Sequence, residues 1–153
     1  MKENLFCGLS LIMMLGFSFS LKAQNQDFFD TQAERLEWFR DAKFELEIGK
    51  VGSIRELADI VIFCQKNKFI PYKLDDQGSR IVLTATVDPF AEVAIQFLGM
   101  PVGLSYLNAI AAADEAFVQQ IVKDARMEGQ SRVSVTKSMV KGDDSNEIII
   151  EEL

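Results

Sequence analysis

The apolar positions of this chain change period several times, and each change marks an element. Ala33, Leu36 and Phe39 recur at helical spacing while Glu34, Glu37, Arg40 and Asp41 fall on the opposite side. Thr31 and Glu34 stand three residues apart in capping-box order, which predicts a helix beginning at Thr31. From Phe44 to Ile48 the period becomes two, a pattern that suits a half-buried strand as well as a fraying helix end, and Gly49 and Gly52 then break the chain. A second helix is predicted from Ile54 to about Lys68, capped by Ser53 with Glu56 three residues later. Leu57, Ile60, Val61 and Cys64 share one of its faces. Val61-Ile62-Phe63 makes it apolar nearly all round, which places it at the centre of the core.

Pro71 ends helical character. Ile70–Leu74 reads as a short edge strand, Asp75–Gly78 as a turn, and Arg80–Val87 as the most strand-like segment, so the two strands predict a hairpin. Asp88-Pro89 supplies a cap and a first-turn proline for a third helix, with Phe90, Val93, Ala94, Phe97 and Leu98 as its apolar stripe and Gly99 as its stop. A fourth helix is predicted from near Ser105, or from near Asp114 if its front frays. Phe117, Ile121, Val122 and Ala125 face inward there, and Gly129 terminates it. Arg132–Met139 alternates as a strand, Gly142–Ser145 turns, and Glu147–Glu151 returns, predicting a second hairpin. Helix followed by hairpin thus occurs twice, over 54–87 and 105–152.

These elements predict one small α+β domain in which three to four helices pack on two β-hairpins forming an antiparallel or mixed sheet. The 153 residues and 48% hydrophobic content are sufficient for one core.

The first residues read differently. Lys2 precedes an apolar run, LFCGLSLIMMLGFSFSL, that closes on Leu-Lys-Ala23 before Gln24, the layout of an export signal and its cleavage site. The expected organisation is a signal peptide over 1–23 and a domain over 24–153, in an exported bacterial protein that is periplasmic or secreted. Removing 1–23 takes Lys2, Lys22 and Glu3 with it and moves the net charge from −7 to −8. An acidic chain without a basic cluster is repelled by phosphate backbones and anionic lipid, which argues against nucleic-acid partners. Cys64 is the only cysteine after residue 23 and sits in an apolar run, where it reads as a packed small side chain. Pairing between chains through Cys64 or through edge strands is the expected route to any oligomer.

Histidine is absent from the whole sequence. That excludes Ser-His-Asp and Cys-His nucleophile systems and every histidine-ligated metal. Gly49-Lys-Val-Gly-Ser53 lacks the glycine-lysine-hydroxyl order of a phosphate loop. The acidic pairs Asp75-Asp76, Asp143-Asp144 and Glu151-Glu152 lack the alternating ligands of a calcium loop. No metal, cofactor or catalytic residue is therefore assigned. Residues 93–113 carry no charge, but Pro101 and the separate start and stop signals divide them into two buried helices rather than an integral membrane span.

One stretch carries a family likeness. Ala33–Phe44, AERLEWFRDAKF, resembles the segment leading into the catalytic barrel of the family 29 α-L-fucosidases, where a helix of this composition runs into the first barrel strand. That family continues with a Phe-Ile-His-Trp-Gly type of sequence, whereas this chain continues Phe44-Glu-Leu-Glu-Ile48-Gly49. The resemblance implies, at most, a truncated and inactive relative of a glycoside hydrolase.

The function expected from these observations is that of a small exported, non-catalytic binding or structural protein. Its partner would be a protein, peptide or glycan held in a groove or at a sheet edge lined by Phe90, Phe97 and Tyr106. A membrane-associated envelope component using residues 93–113 is the other alternative.

Overall fold

The computed structural model describes residues 32–96 and 103–153. The expected signal peptide over 1–23 and the helix start at Thr31 lie outside the described residues.

Helix α1 spans Gln32–Glu45 and α2 spans Ile54–Asn67. Strands β1 (Lys73–Asp76) and β2 (Arg80–Ala85) form a hairpin, followed by α3 (Pro89–Ile95) and α4 (Gly103–Asp124). The chain ends with β3 (Ser131–Lys137), a 3₁₀ turn at Met139–Lys141, and β4 (Asn146–Glu152). Among the described residues the fold is therefore α+β, with four helices on one antiparallel sheet of order β1-β2-β4-β3.

Each predicted hairpin forms, and the two are joined through β2 and β4, whose register runs from Arg80 opposite Glu151 to Ala85 opposite Asn146. Strand alternation then decides the layers. Ile81 and Leu83 of β2, Ile148 and Ile150 of β4, and Val133 of β3 point to one face, where they meet Leu57, Ile60, Val61 and Cys64 of α2 and Phe117, Val118 and Ile121 of α4. Phe39 and Ala42 of α1 close this core, and the Trp38 ring meets Phe117 edge to face at 6.1 Å. The opposite face of the sheet carries Val82 and the buried Ile149 together with paired charges, among them Glu151 of β4 between Arg132 (2.8 Å) and Arg80 (3.8 Å). Arg132 first, then Arg80, holds the half-buried Glu151 carboxyl below its ordinary range.

The sequence rules locate helix starts accurately here. Ser53 Oγ accepts a hydrogen bond from the Glu56 amide, and the Glu56 carboxylate reaches back to the Gly52 amide at 2.8 Å. Helix α2 ends at Asn67, close to the expected Lys68, whereas α4 ends at Asp124, earlier than Gly129 suggests. In α1, α2 and α4 the residue just past the last turn is left-handed but is not glycine: Glu47 (φ 55), Phe69 (φ 62) and Arg126 (φ 58). Each helix closes with the same pair of bonds, such as Ile70 N–H to the Gln65 carbonyl and Phe69 N–H to the Lys66 carbonyl. An apolar residue follows each time, Ile48, Ile70 or Met127, and packs in or against the core. Burial of that next side chain offsets the strain of the left-handed residue. Glycine is therefore not required.

Other boundaries shift for similar reasons. Helix α1 continues through Phe44 and Glu45, so the alternating stretch does not become a strand. Strand β1 begins at Lys73 rather than Ile70 and includes Asp75 and Asp76. The turn lies later, closed by Gln77 N–H to the Arg80 carbonyl, with Gly78 at φ 84 and its amide bonded to Asp76 Oδ1. Strand β3 ends at Lys137 after a bulge between Val135 and Lys137.

Candidate functional site

A second, smaller core lies beside the first. It joins Ala91 of α3, Leu107 and Ile110 of α4, and Val140 of the 3₁₀ turn. Its polar centre is Asp88, which is fully buried. Asp88 Oδ1 accepts from the amides of Phe90 and Ala91, the cap anticipated for α3, while Oδ2 accepts from Asn146 Nδ2 at 2.6 Å. Asn146 Oδ1 in turn accepts from the Met139 amide at 2.7 Å. One carboxylate thus ties together the start of α3, the start of β4 and the 3₁₀ turn. Two partners on one oxygen and one on the other compensate for its burial.

A group of ionisable residues faces this clasp from the first core. Lys68, at the end of α2, has a side chain only 5% exposed. Its Nζ lies 3.4 Å from Asp114 Oδ1 and 3.8 Å from the centre of the Phe117 ring. The carboxylate and the ring face offset the cost of burying the ammonium group. Tyr72, half-buried just before β1, completes the group. Burial first, then the carboxylates of Asp114 and Asp88, drives its phenol far above the ordinary tyrosine range. A phenol held neutral can donate a hydrogen bond but does not act as a base. The Lys68–Asp114 pair neutralises charge internally and fastens the end of α2 to α4.

Sequence reasoning identified Asp88 only as a cap and passed over Lys68, Asp114 and Asn146. A signal was present. Lys68 continues the spacing of Leu57, Val61 and Cys64, and Asp114 lies four residues after Ile110 and three before Phe117, so each charge sits within the apolar stripe of its helix. Two opposite charges on inward stripes of different helices are candidates for a buried pair.

Of the residues predicted to bind a ligand, Phe90 lies in the first turn of α3 and is half-buried. Phe97 lies outside the described residues. Tyr106 falls within α4, so its backbone is helical. The stripe predicted for α3 is corrected in part: among the described side chains of that helix Ala91 is the fully buried one, whereas Val93 is 49% exposed. The cap decides this, because Asp88 turns Ala91 toward the second core and leaves Val93 outside. Val87, just before the cap, is likewise exposed, at 46%.

Cys64 is fully buried in the first core, which corrects its proposed use as a bridge between folded chains. Among the described residues no group of three or more cysteine, aspartate or glutamate side chains is placed to hold a metal ion. No described helix is long and apolar enough to cross a membrane.

No protein-family model matches this chain, and no curated protein does. A search of solved structures finds a trafficking protein particle complex subunit 3 from Naegleria fowleri, covalently bound to palmitic acid in its crystal. It is 14% identical, with a TM-score of 0.49 over 94% of this chain and 93% of that one. At that level of similarity nothing about function passes from one chain to the other.

Proposed function

We propose that this chain is a small exported, non-catalytic protein that acts by binding, with the surface around α3 as its contact region. The observation that carries the reading is the pairing of its buried and half-buried charges. Asp88 is engaged by Asn146 and two helix amides, Lys68 by Asp114 and the Phe117 ring, and Arg35 by Asp124 at 2.9 Å. These groups hold elements together, and their polar atoms are committed to one another. Val87 and Val93 instead present apolar surface to solvent, and Phe90 is half-buried. The partner class that suits such a surface is a protein, peptide or glycan with an apolar face.

Export is proposed from the leader pattern of residues 1–23. Intact mass of the protein recovered from the cell envelope or medium tests it, with a chain beginning at Gln24 expected and an uncut chain in the cytoplasm overturning it. Binding is tested by titrating peptide and glycan arrays against the wild-type protein and the Val93→Asp variant. Saturable binding that the variant loses supports the reading. Turnover of a glycoside or ester by homogeneous protein would end it.

A second reading takes its support from the resemblance over Ala33–Phe44, which forms a single helix here. On that reading α1 descends from the helix before a fucosidase barrel, and the chain is an inactive remnant of such an enzyme.

A further inference from the structure

The two edges of the sheet are treated differently by the chain. In an antiparallel sheet successive residues turn their backbone groups alternately toward one neighbour and the other. Leu153 N–H donates to the Gln130 carbonyl, so Arg132 and Ser134 of β3 face β4 and Ser131, Val133 and Val135 face outward. That outer edge is largely closed. The Ser131 amide donates to the Met127 carbonyl, Gln119 Nε2 of α4 donates to the Val133 carbonyl at 2.6 Å, and the bulge after Val135 ends the regular ladder.

At β1 the same parity holds with the opposite result. Gln77 N–H donates to the Arg80 carbonyl, so Lys73 and Asp75 face β2 while Leu74 and Asp76 turn their amides and carbonyls outward. Among the described residues, none bonds the outward amide or carbonyl of Leu74. The side chains on this edge are self-complementary. Lys73 and Asp75 are exposed on the sheet face away from the helices, and Leu74 lies between them, half-buried on the helix side.

We propose that the edge of β1 pairs with the same edge of a second copy of this chain, antiparallel about a twofold axis at Leu74. In that register Leu74 meets the second copy's Leu74, and each Lys73 stands directly opposite an Asp75. Tyr72 stands opposite the second copy's Asp76, and about six backbone hydrogen bonds form across the axis. Moving the axis one outward residue either way, to Tyr72 or to Asp76, separates both charge pairs. The Asp75 carboxylate accepts only an exposed side-chain bond from Gln77, at 2.7 Å, and keeps lone pairs for the lysine. The product is one continuous antiparallel sheet running through two copies, an isologous interface that closes on itself. The inference stands independently of the ligand reading above.

The test is sedimentation velocity of the protein expressed from its complete sequence, across a micromolar concentration series, with far-ultraviolet circular dichroism to verify folding. The wild type is expected to dimerise. Lys73→Asp and Asp75→Lys each place like charges opposite one another and are expected to weaken self-association about tenfold or more. Mixing these two variants restores opposite charges at both positions and should restore the dimer, as should the double exchange within one chain. Leu74→Pro removes the central outward amide and should leave a monomer. A wild type that is monomeric throughout overturns the proposal. So does a dimer indifferent to the single variants, or a mixture of the two that fails to associate.

Discussion

Asn146 and Asp88, 58 residues apart in sequence and both buried, are joined by a 2.6 Å hydrogen bond from amide to carboxylate. The same carboxylate caps α3, so one side chain serves a local and a long-range purpose. Asp88→Ala removes the cap and leaves the Asn146 amide buried without its acceptor. A loss of about 2–4 kcal/mol is expected from the two effects together, read as a lower urea midpoint. Asn146→Asp should be worse than Asn146→Ala above neutral pH, because it sets two carboxylates against one another.

The three left-handed helix ends make a prediction of the opposite sign. A side chain in that conformation costs about 1–2 kcal/mol, part of which glycine returns through a more flexible unfolded chain. Phe69→Gly and Arg126→Gly are therefore each expected to stabilise the protein by about 0.5–1 kcal/mol in urea unfolding. A destabilisation of similar size would mean that the exposed side chains make contacts worth more than the strain.

Core truncations should separate buried from exposed positions. Ile121→Ala and Ile150→Ala, both at fully buried positions, are expected to lose about 2–5 kcal/mol. Val93→Ala is expected to stay within about 0.5 kcal/mol of the wild type, since that side chain is half in solvent. Equal losses at Val93 and Ile121 would show that α3 packs as its sequence stripe suggests.

Tyr72 predicts an alkaline signature. Its phenol is raised above the ordinary value of 10.0, chiefly by burial and then by Asp114 and Asp88. The unfolded chain therefore releases this proton first as pH climbs. The stabilisation is complete below about pH 10 and is lost progressively above it. Urea unfolding at rising alkaline pH should fall more steeply for the wild type than for Tyr72→Phe. Absorbance titration near 295 nm should lose its latest-ionising component in the variant. Parallel pH profiles would contradict this assignment.

The element order and both hairpins were legible because they rest on interactions between near neighbours in sequence. Ser53, Asp88 and Pro89 marked helix starts correctly because a cap is made within three residues. Phe117, Ile121, Val122 and Ala125 proved to be the buried side of α4, since one apolar face must find the core whatever lies opposite it. Ala33–Phe44 is helical, as its spacing predicts, but that spacing carried no information about what the helix packs against.

Local pattern was insufficient wherever a distant residue decided the outcome. Whether Glu47, Phe69 and Arg126 could end helices depended on burial of the residue after each, which periodicity does not report. The Lys68–Asp114 pair required two helices to be brought side by side, and the bond from Asn146 to Asp88 required β4 to lie beside β2. The exposure of Val93 followed from a cap that turned Ala91 inward. Period, capping and turn chemistry determined by themselves the order and kind of the elements, because those depend on energies between residues a few positions apart. Only the tertiary structure decided which charges are buried together and which sheet edge is left open, because these depend on contacts that exist only after the chain has folded.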